Sequence, residues 1–382
     1  MIGWGCVDFG EREKQLLDEV FKSRQITHGP FLDRFESNFA QMHGCRFGIM
    51  VNSGTSALRI ALLAMKELDG WQDGDEVIVP ALTYISTVNV VIQSGLKPVF
   101  VDVDSTTYNI DVSKIEEKIT NRTRCTVPVH MFGLPTDMEQ MRQIAHRHKL
   151  RILEDSCEAM GVSVMDRSVG SWGNAGAFST YVAHIITTGV GGIMVTNDQA
   201  IYEVALSIAN HGRNPGFLGS RTDWRNTDPK DRFRFDRLGY SFRSTQMEAA
   251  LGLGQLERLP FIVEKRQKNA AYLTGLLKEV PAYQLPVIPD HYEHAFMMYP
   301  VVVHGMDTKR VVSYVESQGI ETRPLMPLLN QPVYVAMFGD QSKEYPIAHA
   351  LYENGFFVGC HQLLKQEELD LIADALKKAV AT

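Results

Sequence analysis

His184 stands in the stretch Phe178-Ser179-Thr180-Tyr181-Val182-Ala183-His184-Ile185-Ile186-Thr187-Thr188-Gly189-Val190-Gly191-Gly192, between a serine able to bind phosphate and a glycine turn leading into a strand pattern. An imidazole there can carry a proton near neutral pH but cannot form a stable imine with an aldehyde, so its chemistry is proton transfer. A lone histidine is also commonly a packed or solvent-facing residue, and three other stretches raise its standing. Asn52-Ser53-Gly54-Thr55-Ser56-Ala57-Leu58 follows an apolar run and opens a helical pattern. Backbone N–H groups and small hydroxyls at a helix N-terminus stabilise a phosphate, although the same residues also read as a plain helix cap. Ile152-Leu153-Glu154-Asp155-Ser156-Cys157-Glu158-Ala159 puts acids directly after an apolar strand, one of them available to hold a protonated ring nitrogen or to cap a helix. Tyr84 follows another strand and can stack on a ring or pack in the core. Each signal is weak alone, and their order along the chain makes them stronger together.

These groups need a scaffold that brings strand ends together. Runs at 47–51, 76–79, 98–103, 125–130, 150–154 and 192–196 read as strands, alternating with helical patterns at 55–68, 84–93, 112–119 and 137–149. Such alternation predicts a mostly parallel sheet covered on both faces, with ligand groups at the carboxyl ends of its strands. The polar stretch 212–237 reads as a long loop. A helix is predicted from Ser244 past Pro260 towards Leu277, then a strand at 297–303 and helices at 308–318 and 366–379. The expected organisation is a large domain over 1–260 and a smaller α+β domain over 261–382, with the first 28 residues packed on one of them.

At 382 residues, 45% hydrophobic and 22% charged, the chain has the composition of a soluble globular protein of more than one core. A net charge of -7 gives no electrostatic reason to expect nucleic acid or an anionic membrane as partner. The first residues have neither a basic nor an apolar signal region, and no run of 18 apolar residues occurs, so a cytoplasmic protein is expected. Cys6, Cys45, Cys125, Cys157 and Cys360 are scattered, which argues against a zinc site or an iron–sulfur cluster.

Taken with Pro80-Ala81-Leu82-Thr83-Tyr84, Val101-Asp102-Val103, Val129-His130-Met131-Phe132-Gly133, Asn210-His211-Gly212, Gly239-Tyr240-Ser241-Phe242-Arg243 and Thr322-Arg323-Pro324, these stretches resemble the DegT/DnrJ/EryC1/StrS family of nucleotide-sugar enzymes, from about residue 27 to the end. The resemblance implies the type I aminotransferase fold, pyridoxal 5'-phosphate (PLP) and a homodimer with shared active sites. Carried over by position, Gly54, Thr55 and Ser179 would hold the cofactor phosphate, Tyr84 would stack on the ring and Asp155 would pair with its nitrogen. Glu158 and Ser241 would add cofactor contacts, that of Ser241 to the phosphate across the subunits; His211 would bind substrate, and Arg243, in the partner-facing loop, would approach the phosphate or sugar. Aminotransferases of the family usually have asparagine at the position of Ser241.

The family's aminotransferases carry a cofactor-binding lysine where His184 stands. Histidine there, with Glu158 in place of the usual glutamine, resembles the 3-dehydratases of 3,6-dideoxysugar biosynthesis. The resemblance implies non-covalently held PLP, aminated to pyridoxamine phosphate (PMP) by glutamate, and removal of the C3 hydroxyl of a nucleotide-linked 4-keto-6-deoxyhexose with His184 as base. The scattered cysteines argue against the iron–sulfur type, and the stretch Gly355-Phe356-Phe357-Val358-Gly359-Cys360-His361-Gln362 resembles the corresponding segment of the iron-free type that acts on GDP-4-keto-6-deoxymannose. The chain departs from that pattern at Ile185 and Val190. Two alternatives stay open: a sugar aminotransferase lacking its lysine, and a non-catalytic nucleotide-sugar-binding homologue.

Overall fold

The computed structural model describes residues 1–217, 228, 230, 233–326 and 328–381. Its larger sheet has the strands β1 (Phe47–Val51), β2 (Glu76–Pro80), β3 (Lys97–Val101), β4 (Thr123–Thr126), β5 (Arg151–Asp155), β8 (Ala175–Ser179) and β9 (Gly192–Thr196), with β6 (Ser163–Val164) and β7 (Arg167–Ser168) forming a separate hairpin. The order is β1-β9-β8-β5-β4-β2-β3. Only β9 runs antiparallel to its neighbours, so the mostly parallel sheet expected from the alternating pattern is present.

Local chemistry explains the helices that matter to the site. Helix α3 (Gly54–Asp69) starts where the Ser53 hydroxyl accepts the Ser56 N–H at 3.1 Å and stops at Gly70, whose φ of 66° ends the helix in the left-handed region. Its Ala57, Leu58, Ile60, Ala61, Leu62 and Met65 are all buried in the main core, which fixes its N-terminus against the sheet. Helix α4 (Ile85–Gln93) begins directly after Tyr84.

Parts of the sequence reading need correction. The segment 112–119 is two single 3₁₀ turns, Val112–Lys114 and Glu116–Lys118, instead of one helix. The Asp111 carboxylate accepts from both the N–H and the hydroxyl of Ser113, a local bond that competes with helix propagation in so short a segment. Strand β8 is absent from the sequence reading, because Ala-Gly-Ala has little intrinsic strand preference. Packing imposes it: a β-carbon on Gly176 would lie 2.4 Å from the Gly170 Cα.

Helix α7 (Gln246–Leu277) runs through Pro260 without interruption and connects two cores. Leu253, Leu256 and Leu259 join the core of the large sheet, whereas Ala270, Leu273 and Leu277 join that of a four-stranded antiparallel sheet, β10 (Tyr283–Gln284), β11 (Tyr299–Val303), β13 (Gly355–Val358) and β12 (Arg323–Pro324) in spatial order. Helices α8 (Thr308–Ser317) and α11 (Gln366–Ala381) pack on each other and share the core of the smaller sheet. The N-terminal residues pack on both units, not on one: α1 (Glu11–Ser23) lies along α7, while Ile2 pairs with Ile320. Of the stretch read as a long loop, positions 218–227, 229 and 231–232 lie outside the described residues. Among the described residues no helix is long and apolar enough to cross a membrane, and no group of three metal-ligating side chains occurs.

Candidate active site

The carboxyl ends of β1, β2, β5 and β8 converge on a cavity of about 390 Å³. Gly54, Thr55, Tyr84, Asp155, Glu158, Ser179 and His184 all line it.

At one end, α3 points its first turn at Ser179. A β-carbon on Gly54 would lie 2.8 Å from the Cys157 Sγ and 2.9 Å from the Ser179 Cβ, so only glycine lets the helix start this close to β8. The amides of Gly54 and Thr55 fall in the helix's first turn, where N–H groups lack intrahelical partners. With the Ser179 hydroxyl they form a donor set suited to a phosphate.

The acidic end is built by burial. Asp155 closes β5, is 4% exposed, and accepts from the Thr87 hydroxyl at 2.8 Å and the Cys157 N–H at 3.2 Å. Thr87 in turn meets Thr83 at 3.0 Å, so the first turn of α4 orients the carboxylate. Burial pushes the Asp155 carboxyl above its ordinary pKa despite these donors. Glu158 accepts the Phe132 N–H at 2.6 Å, and burial together with the nearby Asp155 charge pushes it up to about 8. Two adjacent buried acids with raised pKa values leave the cavity short of positive charge, which a cationic ligand atom would supply.

His184 projects from a loop closed by its own backbone: Thr180 N–H donates to Gly191 O at 3.0 Å, Val182 N–H to Gly189 O at 3.1 Å and Thr188 N–H to Thr180 O at 2.9 Å. Gly189 has φ 85°, a left-handed turn that glycine accepts without strain. The imidazole stands edge-on to Tyr181, and its Nδ1 is enclosed by protein. Burial lowers the imidazole to about 4, with the Tyr181 carbonyl opposing and the charge of Arg266 adding. Arg266 is itself buried and donates to the carbonyls of Phe296 and Met297, in the chain that walls the cavity. The His184 imidazole is therefore uncharged at pH 7.

Ser241, His211 and Arg243 are not brought to this cavity within one chain. Arg243 Nη2 donates to Ser241 Oγ at 3.1 Å and lies 3.3 Å from His211 Nε2, in an exposed cluster beside a different hollow. The same segment runs along β1, where Asn52 N–H donates to Phe242 O at 2.8 Å. Sequence reasoning overlooked Thr87, Met297, Met298, Met326 and Trp4. The spacing of Thr83 and Thr87, one helical turn apart, was the only local signal for any of them.

A model of the DegT/DnrJ/EryC1/StrS aminotransferase family matches residues 7–377. The GDP-4-keto-6-deoxy-D-mannose 3-dehydratase of Escherichia coli O55:H7 (strain CB9615 / EPEC) is 32% identical over 376 residues, covering 96% of each protein. The GDP-perosamine synthase of Escherichia coli O157:H7 is 33% identical over 371 residues, covering 96% of this chain and 95% of that protein. Among solved structures, E. coli GDP-4-keto-6-deoxy-D-mannose-3-dehydratase with bound hydrated PLP has the same fold, with a TM-score of 0.88 at 29% identity over 99% of both chains. Matched along nearly its whole length by the family model and by these relatives, the chain belongs to the DegT/DnrJ/EryC1/StrS aminotransferase family.

Proposed function

We propose that this protein is a PLP/PMP-dependent 3-dehydratase of a nucleotide-linked 4-keto-6-deoxyhexose, with GDP-4-keto-6-deoxymannose as the leading substrate. The observation that carries the reading is His184: a neutral imidazole lines the cavity, and no lysine is among its lining residues.

The residues present fit the cofactor. The Gly54 and Thr55 amides and the Ser179 hydroxyl would take its phosphate, Tyr84 would cover its ring, and Asp155 would hold the proton on its ring nitrogen. Glu158 lies close enough to Asp155 for the two charges to interact and would contribute a further contact. When bound, the cofactor supplies an amine for the sugar C4 ketone and an electron sink for the elimination.

His184 removes a proton as general base through Nε2, the ring nitrogen that is not enclosed, and its imidazolium then protonates the departing C3 hydroxyl, which leaves as water. Because an imidazole cannot recapture the cofactor covalently as a lysine would, the eliminated product departs and loses ammonia to water. Over the full cycle the sugar loses one oxygen, and glutamate, giving up two electrons, ends as 2-oxoglutarate and ammonia.

We assign Ser241, His211 and Arg243 to the neighbouring site of a homodimer, a reading supported by their exposure and their separation from the cavity of their own chain. A second reading, sugar aminotransferase, draws support from the 33% identity to a GDP-perosamine synthase. Incubation with nucleotide-linked 4-keto-6-deoxyhexoses, PLP and glutamate separates the two. A dehydratase yields a sugar lighter by one oxygen and releases ammonia; an aminotransferase yields an amino sugar that keeps the oxygen. The amino sugar as sole product would overturn the proposal.

A further inference from the structure

Residues 3–5 form a strap between the smaller domain and the His184 loop. On one side Ile2 N–H donates to Gly319 O at 2.8 Å and Glu321 N–H to Ile2 O at 2.9 Å, while the Trp4 N–H reaches the Glu321 carboxylate at 3.4 Å. A β-carbon on Gly359 would lie 2.4 Å from the Gly3 carbonyl oxygen and 2.9 Å from the Trp4 Cα, so the strap lies directly on the chain leaving β13. On the other side, a β-carbon on Gly5 would meet the Cα of Ala183, the residue before His184, at 3.4 Å.

This double contact holds the Trp4 indole at the cavity wall. Its ring stands edge-on to Phe357 with centroids 5.5 Å apart, and its indole N–H has no partner among the described residues. A second hollow, of about 330 Å³, shares Trp4, Thr83, Tyr84 and Met326 with the cavity of His184. Beyond the shared residues it is lined by the apolar Ile85, Pro324 and Phe357, with Arg323 and Gln331 as its polar groups.

We infer that Trp4 is a substrate-selecting residue, and that its indole is the wall against which the hexose of the nucleotide sugar packs. The inference rests on the reading of the cavity as a nucleotide-sugar site and names the group that occupies its outer part. A pyranose ring has an apolar C–H face, which packs on an aromatic ring, and hydroxyls at its rim, to one of which the free indole N–H can donate. The sugar, not the base, is the group at Trp4. The carbons that react must lie within reach of His184, and Trp4 lines that same cavity.

The test uses the PLP-loaded protein and calorimetric titration with GDP, CDP, dTDP and UDP, each alone and as a hexose conjugate. Trp4→Ala should weaken the bound conjugate about tenfold and its free diphosphate less than about twofold, and Trp4→Phe should weaken the conjugate about threefold. Equal weakening of conjugate and free diphosphate, or no weakening of either, overturns the inference. If Trp4→Ala loses PLP or folds poorly, the same ratio in Trp4→Phe decides the matter. Failure of the unsubstituted protein to bind any member of the panel overturns the nucleotide-sugar reading instead.

Discussion

The acidic end of the cavity and the Arg243 cluster are built in opposite ways. Asp155 and Glu158 are buried, accept from Thr87, Cys157 and Phe132, and sit on strand ends that a single chain assembles. Arg243, Ser241 and His211 are held mainly by one another on an open surface. A buried polar group must be satisfied by its own fold, since leaving it unpaired costs about 1–3 kcal/mol. An exposed cluster has water as a partner and can wait for another molecule. On the proposed reading the first region is complete within one chain, and the second is completed by a neighbour.

The largest expected effect lies in the enclosed region. His184→Asn should reduce dehydration about 10²–10⁴-fold, the range for loss of a general base, with cofactor binding retained; single-turnover mass analysis of the sugar measures it. His184→Lys should instead capture the cofactor covalently, visible as added mass after borohydride reduction. A His184→Lys variant that dehydrates as fast as the parent would remove the proton-transfer role.

Mixing subunits tests the exposed region directly. An Arg243→Ala subunit combined with a His184→Asn subunit gives heterodimers with one intact and one doubly defective site. With equal amounts and full exchange, activity should climb from near zero to about a quarter of the parent. Confirmed exchange with no recovery would return Arg243 to a role in its own chain.

Asp155→Asn should weaken cofactor binding by about 1.5–3 kcal/mol, the usual contribution of a charge-assisted hydrogen bond. Spectroscopic titration with PLP measures this, and unchanged affinity would move the ring-nitrogen partner elsewhere.

The last effect, on stability and not on activity, concerns Glu158. Its carboxyl ionises near 4.5 when unfolded and near 8 when folded, so rising pH costs the fold stability between those values, and the full cost applies above 8. Glu158→Gln, which cannot ionise, should therefore be more stable than the parent at pH 9 in the cofactor-free protein and equally stable at pH 4. Thermal unfolding at the two pH values checks the sign.

Much of the cavity is legible in the sequence. Gly54, Thr55, Tyr84, Asp155 and Glu158 lie at or just past ends of strands and helices that periodicity locates, and a mostly parallel sheet brings such ends to one edge; Ser179 and His184 are read from the stretch that contains them and not from a predicted strand. Strand β8 was not legible, because its Ala-Gly-Ala run is selected by the space beside Gly170 and not by intrinsic preference. Nor were the two turns at 112–118, where one aspartate bond outweighs helix propagation.

The sequence by itself determined the chemical inventory: an imidazole where the resemblance expects a lysine, acids after β5, and a small-residue turn before α3. These depend on residue type and on neighbours a few positions away, so the linear order retains them. Only the tertiary structure decided that Thr87, 68 residues from Asp155, holds its carboxylate, that Arg266 bears on the imidazole from α7, and that Trp4 reaches the cavity from the far end of the chain. Contacts at such separations leave no periodicity to read, since packing of the two cores around α7 creates them.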